Sequence, residues 1–307
     1  MPVKPITVFR ASTGLNVKVD PVRIPFDPAT GVTDLAVAYN VDHDHTGRLS
    51  RRKGYTRVNT TAFSSLFYGG SDVVGVSGSS LCVLPRDLTT YRAVGTVTAG
   101  AKLSCVQVAD AVFWVNGHEK GYIRSGVNHA WVMGDYYGPD TKRVFVGPPI
   151  GELIESLNAQ IYIADGPTLY VSDAFSLNHF DAVRGEIPWE TQITMLRAVA
   201  GGLFVGSAQG CWFMPVSSPT DFRLEKINRC SSVIKGTDVK CDLGKTSFGR
   251  SQLMTGIGVM WAAKDGIYLG TPDGKAFNLT DQKLYPLEAL SGSAHIANGR
   301  YILNLNG

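Results

Sequence analysis

The feature that most limits what this chain can fold into is a unit of two strands joined by a turn. It recurs in Ser71–Leu84, Asp110–Ile123, Asn158–Ser172, Gly201–Met214, Gly256–Leu269 and Ser293–Leu305. Each copy is a pair of short apolar runs bounded by glycine, asparagine, aspartate or proline, which is the pattern of a β-hairpin. Apolar residues at the helical i, i+3, i+4 spacing are almost absent. The hairpins return at intervals of about 35–55 residues, which suits four-stranded blades of ~40–50 residues. Between them lie extended polar and aromatic stretches, Thr90–Thr98, Ser125–Met133, Phe175–Val183, Ser217–Ile227 and Gly270–Leu279, each long enough to supply outer strands. The expected fold is therefore all-β, a β-propeller of about five to six blades. A β-sandwich is the alternative, and it would share the short strands but not the hairpin-plus-extension unit. The last hairpin stops at Gly307, so an N-terminal strand is expected to complete its blade and close the circle.

Residues 1–60 differ in character from residues 61–307. Asp20-Pro21, Phe26-Asp27-Pro28 and Ala29-Thr30-Gly31 mark loops, followed by expected strands at Asp34–Asp42 and Gly47–Val58 joined by the turn Asp42–Gly47. This part reads as an N-terminal β-hairpin arm without a core of its own, leading into the propeller at 61–307. Hydrophobic residues make up 44% of the chain and charged residues only 18%, against a usual ~25%. A surface so thin in charge points to unusually complete burial or to faces that end against other subunits.

The net charge of +3 is too small to draw nucleic acid or a membrane by field alone. Cys82, Cys105, Cys211, Cys230 and Cys241 are odd in number and lack a C-x-x-C spacing, so buried reduced thiols are expected instead of zinc ligands or a disulfide framework. No run reaches the ~18 apolar residues of a membrane span. The opening Met1-Pro2-Val3-Lys4-Pro5 lacks a signal-peptide core, so folding in a cytoplasm is expected.

Asp42-His43-Asp44-His45-Thr46-Gly47 opens like a calcium-binding EF-hand loop, but the twelfth position is Lys53 where a glutamate is needed. Asp42 and Asp44 are thus expected to cap the turn, with a surface metal site as the lesser reading; His43 and His45 have no assignable third ligand. Arg48, Arg51, Arg52, Lys53 and Arg57 crowd one strand and its extension. Alternation puts Arg51 and Lys53 on one face and Arg52 on the other, so a continuous phosphate-binding stripe is disfavoured against an interface with carboxylates of a neighbouring subunit.

Catalytic patterns are incomplete. Gly75-Val76-Ser77-Gly78 is one residue short of a nucleophile elbow, and Gly244-Lys245-Thr246 lacks the glycine and helix of a phosphate loop. Asp165, Asp173, Asp181 and Asp265 are the carboxylates a glycosidase would draw on, yet all fall at turns or strand ends. No catalytic residue, metal or cofactor is expected. Trp131, Tyr136, Tyr137 and Trp189 are the aromatic candidates for a glycan or receptor surface.

Three stretches resemble the propeller-forming tail structural proteins of tailed bacteriophages, including the tail-nozzle (tubular) proteins. The first is Asn40-Val41-Asp42 with Asp44, Gly47, Arg48, Leu49 and Arg51-Arg52-Lys53-Gly54-Tyr55, similar to an opening N-V-D-x-D-x-x-G-x-L-x-R-x-x-G. The second is Gln160–Asp181, with Y-x-S-D at Tyr170–Asp173 and a distal F-D at Phe180-Asp181. The third is Ala200–Met214 followed by Gly236-Thr237. The resemblance implies a non-enzymatic virion protein, assembled in the host cytoplasm. It also implies a homo-oligomeric ring about the tail axis, next to other tail or head–tail connector proteins, with genomic DNA passing through the lumen without specific binding and no membrane partner. A receptor- or glycan-binding propeller at a tail tip is the alternative, and a propeller glycoside hydrolase a more distant one.

Overall fold

The structure is a computed structural model describing residues 9–44, 46–54, 56–70, 72–139, 142–216, 223–246, 254–281, 283–284 and 286–306. Among the described residues there is no α-helix, only two short 3-10 turns at Pro21–Arg23 and Leu243–Lys245. The chain is all-β.

The arm contains β1 (Ala11–Leu15), β2 (Phe26–Asp27) and β3 (Val32–Leu35), in a sheet of order β1-β3-β2 whose β1–β3 pair is parallel. The hairpin β4 (Val41–His43) and β5 (Leu49–Arg51) follows. Five antiparallel meander sheets come next, numbered here in chain order. Sheet one is β6 (Ser64–Gly69), β7 (Asp72–Ser77), β8 (Ser80–Leu84) and β9 (Arg92–Thr96), and sheet two is β10 (Ser104–Val108), β11 (Ala111–Val115), β12 (Lys120–Arg124) and β13 (Val127–His129). Sheet three has six strands: β14 (Phe145–Val146), β15 (Leu153–Leu157), β16 (Gln160–Asp165), β17 (Thr168–Asp173), β18 (Ser176–Asp181) and β19 (Glu186–Pro188). Sheet four is β20 (Ile193–Val199), β21 (Gly202–Ser207), β22 (Gly210–Pro215) and β23 (Glu225–Lys226). Sheet five is β24 (Val239–Asp242), β25 (Ile257–Ala263), β26 (Gly266–Gly270) and β27 (Ala276–Asn278). The hairpin β28 (Ser291–Ala297) and β29 (Arg300–Asn306) ends the chain.

Each of the six hairpins read from sequence is present, as β7–β8, β11–β12, β16–β17, β21–β22, β25–β26 and β28–β29. The last is closed by Asn298-Gly299, both at positive φ (52° and 72°), the geometry of a tight hairpin turn whose twist suits the strands it joins. The central strands of the inner sheets are apolar on both faces, because those sheets are packed on both sides. All of β11 and all of β21 are buried.

The core is accordingly a series of layers, one between each consecutive pair of sheets. Val74, Val76 and Leu81 of sheet one meet Cys105, Val112, Trp114 and Ile123 of sheet two. Val106, Phe113 and Val115 meet Ile154, Ile161, Ile163 and Phe180 of sheet three. Leu169 and Val171 then meet Leu196, Leu203 and Val205; Phe204 and Phe213 meet Val259, Trp261 and Tyr268; Met260 and Leu269 meet Ile296 and Tyr301. Fully burying one such side chain contributes ~1.5–3 kcal/mol, so each layer is a substantial bond between neighbouring sheets.

Three details differ from the sequence reading. The arm strands are shorter than Asp34–Asp42 and Gly47–Val58, because Asn40 turns the chain at φ 54° and pairing stops near Arg51. Sheet three gains β14 and β19, which return from long loops to pair β18 and β17. The last hairpin sits beside the segment that leads into β24, through the parallel bridge Lys235–Ser291, and among the described residues the expected closing strand from the N-terminal arm is not beside it. No arm strand pairs with β29 among the described residues. The arm is tied to that end instead by Arg300 to Asp42 at 2.7 Å and by the Val17 N–H to the Lys283 carbonyl at 2.9 Å.

None of the described apolar residues before Val73 is fully buried, so the arm is held by turns and polar contacts. Gly47 sits at φ 83°, and a Cβ there would stand 2.7 Å from the Ser12 carbonyl oxygen and 2.8 Å from the Ala11 Cβ. Gly47→Ala is expected to cost about 1–3 kcal/mol in docking of β1 on the hairpin turn. Hydrogen exchange would read this as at least ~10-fold faster exchange of the Ser12 amide, with the β21 amides unchanged.

Candidate functional site

The arginine-rich hairpin is built around its turn. Asp44 accepts from the Thr46 N–H at 2.8 Å, the Thr46 hydroxyl at 2.6 Å and the Arg48 N–H at 3.0 Å. Asp42 faces Arg52 at 3.4 Å and Arg300 at 2.7 Å. Both aspartates therefore act in the turn and its anchoring, and no group of three potential metal ligands forms among the described residues; His45 and Tyr55 lie outside them. Arg48, Arg51, Arg52, Lys53 and Arg57 are all exposed. Arg57 donates to the Asn59 carbonyl at 2.9 Å and to the Thr60 carbonyl, which turns it away from the hairpin. The strand ends at Arg51, so the alternation that separates Arg52 from Lys53 does not extend through that segment.

A second charged cluster forms where β15, β20 and β24, edge strands of sheets three, four and five, converge. Glu155 of β15 is 1% exposed and takes Lys240 of β24 at 2.8 Å and Arg197 of β20 at 3.9 Å. Arg197 turns its Nε to Asp238, also buried, at 2.7 Å. Burial opposes the Arg197 charge, and the carboxylates of Asp238 and Glu155 outweigh it, so the guanidinium titrates above its usual range. At one end of the same strands Lys235 pairs with Glu152, which also accepts from Gln192 at 3.0 Å. Sequence reasoning missed this cluster. Its signal was a lone charge inside otherwise apolar strands, Glu155 in Leu153–Leu157 and Arg197 in Ile193–Val199, because a buried charge is tolerated only when it is paired.

Of the four aspartates weighed for hydrolysis, the structure brings Asp173 and Asp181 to one shared arginine. Asp173 and Asp181 both hold Arg143, at 2.6 and 2.7 Å, and Arg143 lies over the Phe145 ring at 4.8 Å. Tyr136 donates to Asp173 at 3.0 Å. The Y-x-S-D and F-D stretches thus converge on one arginine that fastens the long loop before β14. Burial alone would raise Asp181, but bonds from the Val183 N–H, Arg143 and the Arg184 N–H hold its carboxyl below the usual range. Asp265 accepts from the Ser231 N–H at 3.1 Å and from its hydroxyl, and Asp165 is exposed at a turn.

Gly244 and Lys245 lie in a 3-10 turn capped by Asp242. Thr237, of the G-T pair, is fully buried and its hydroxyl accepts the Ala262 N–H at 3.1 Å while donating to the Ile234 carbonyl at 2.7 Å. The cysteines are free and buried, and burial pushes the Cys105 thiol up to about 12 and Cys241 up to about 11, far from nucleophile chemistry. Of the aromatic candidates, Trp131 is buried against Phe113 and Phe180, and Trp189 stands edge-on to Trp212. Tyr137 alone of the four is well exposed, at 88%.

No protein-family model matches the chain, and no curated protein matches it. Among solved structures, the extracellular domain of a hybrid two-component system from B. thetaiotaomicron has a similar fold, with a TM-score of 0.51 and 9% identity over 84% of this chain and 33% of that one. PorZ, a surface component of the type-IX secretion system of Porphyromonas gingivalis, aligns with a TM-score of 0.45 and 11% identity over 80% of this chain and 32% of that one. This chain spans about a third of the length of either. At such identity the first likeness is one of fold alone.

Arg197→Met would leave Glu155 and Asp238 buried beside one fewer cation, at an expected cost of about 3 kcal/mol. Urea unfolding should show the loss, and the triple variant with Glu155→Gln and Asp238→Asn should recover part of it. A second expectation concerns acid. Because the Asp181 pKa is depressed on folding, its contribution is present above the unfolded value of ~3.9 and is lost as pH falls through the folded value. Arg143→Ala should flatten that acid limb of the stability profile measured between about pH 5 and 2.

Proposed function

We propose that the chain is a structural subunit of a bacteriophage tail, a β-propeller that assembles into a ring about the tail axis. In this reading the five meander sheets are blades, β28–β29 is the inner half of a sixth, and the arm lies where an outer half would stand. The observation that carries it is the structural use of the residues behind the tail-protein resemblance. Asp44 and Gly47 shape the arm turn, Asp173 and Asp181 fasten a loop through Arg143, and Thr237 ties the segment entering sheet five to β25. All three stretches hold the architecture together, which is what a passive building block needs.

The convergent ion pairs bear on where DNA would run. Glu155, Arg197, Asp238 and Lys240 tie together β15, β20 and the start of sheet five; in this reading a duplex passes through the lumen of a ring of subunits and not through one subunit. The partners in this reading are further copies of the chain and neighbouring tail or head–tail connector proteins. The protein acts without catalysis.

The reading is tested by fractionating a lysate of the source organism, after phage induction, on a density gradient and probing it with antibody to this chain. The protein is expected to band with tailed particles, and gold-labelled antibody to decorate their tails. Recovery solely with the cell envelope or the soluble fraction would overturn it.

A further inference from the structure

The arginine-rich hairpin carries more positive charge than its own chain neutralises. Arg48, Arg51 and Lys53 make no ion pair among the described residues, and the counter-ion of Arg52, Asp42 at 3.4 Å, is shared with Arg300 at 2.7 Å. An exposed group of like charges is a surface suited to a partner of opposite sign.

A matching surface lies on sheet three of the same chain. Strand β19 pairs β17 with Glu186 opposite Tyr170 and Pro188 opposite Thr168, and Asp165 stands opposite Thr168 on β16. Glu190 follows, positioned by the Trp189 N–H on the Pro167 carbonyl at 2.6 Å. Asp165, Glu186 and Glu190 are all exposed, and none is ion-paired among the described residues. Burial, then Glu186 and Asp165, raise the Tyr170 phenol, which places both carboxylates near that one ring. Pro188 has no N–H to offer along the β19 edge, so strand addition is blocked there and the edge presents charge instead.

We propose that the hairpin bearing Arg48, Arg51 and Lys53 docks on the β17–β19 edge of a second copy of this chain, pairing with Asp165, Glu186 and Glu190. Within one chain the hairpin is anchored to β29 through Arg300, and sheets four and five are packed in series between sheet three and the β28–β29 hairpin. No ion pair among the described residues joins the two patches. A contact between two different patches is heterologous, the kind that generates rings when its rotation closes. The inference rests on the self-assembling reading above and names the contact that reading requires.

Charge reversal tests it by sedimentation velocity at low salt. The full-length protein is expected to self-associate, and raising salt from 50 to 500 mM to weaken this, since exposed pairs are screened over ~10 Å at 0.1 M. Arg48→Glu with Arg51→Glu, and separately Asp165→Lys with Glu186→Lys, should each weaken association by ~10-fold or more, because each variant then repels itself. Mixing the two variants in equal amounts should restore association, each hairpin now facing an edge of opposite sign. That recovery also shows that both variants are folded. Association indifferent to either reversal, or a mixture that fails to recover, would overturn this contact while leaving self-assembly standing, and a chain that is monomeric throughout would overturn it as well. Failure of the tail reading would register separately, as absence from tailed particles whatever the variants do in solution.

Discussion

The rest of the structure depends on the burial of its central strands on both faces. Strands such as Ala111–Val115 and Gly202–Ser207 have no face to give to water, so a single sheet cannot be stable alone and must be covered on each side. The chain meets this demand with its nearest neighbours in sequence. Each sheet covers the one before and is covered by the one after, and the apolar layers between them form a continuous series from Val74 to Tyr301. Stability in such an array comes mainly from interfaces between consecutive units, as in repeat proteins.

Where sheets three, four and five pack on one another, their edge strands β15, β20 and β24 come together. Apolar side chains fill the layers, but the convergence is filled by Glu155, Arg197, Asp238 and Lys240. Buried ion pairs add little net stability compared with well-packed apolar groups. Their effect is directional: Arg197 has to meet Glu155 of one sheet and Asp238 of the next, which fixes the relative placement of three sheets in a way that hydrophobic contact alone does not. Thr237 does similar work one step along, lending its hydroxyl to the Ala262 N–H where the chain crosses into sheet five.

The two ends of the array are unlike its middle. Sheet one leaves Leu66 and Tyr68 more than half exposed, β29 pairs only β28 among the described residues, and the arm is attached by ion pairs and turn geometry with no buried apolar residue among its described residues. These are the parts of the molecule with polar or apolar capacity unspent in the monomer, and they are where an assembly reading places its contacts. The low charge content of the chain has the same sense, since the middle of the array uses its surface internally.

Local signals carried much of this into the sequence. The six hairpins were legible because a turn such as Asn298-Gly299 and two flanking apolar runs determine a hairpin with little help from the rest of the chain. Turn capping by Asp44 was legible for the same reason, its partners lying within four residues. The pairing of Asp173 and Asp181 with Arg143, 30 and 38 residues away, was not, nor was the meeting of Glu155 with Arg197 and Lys240. The sequence by itself determined the strands, their turns and the all-β class, since those follow from backbone preference and short-range periodicity. Only the tertiary structure decided which charges are neutralised and which are left for a partner, because the Coulomb energy of a pair depends on a separation in space that sequence spacing does not encode.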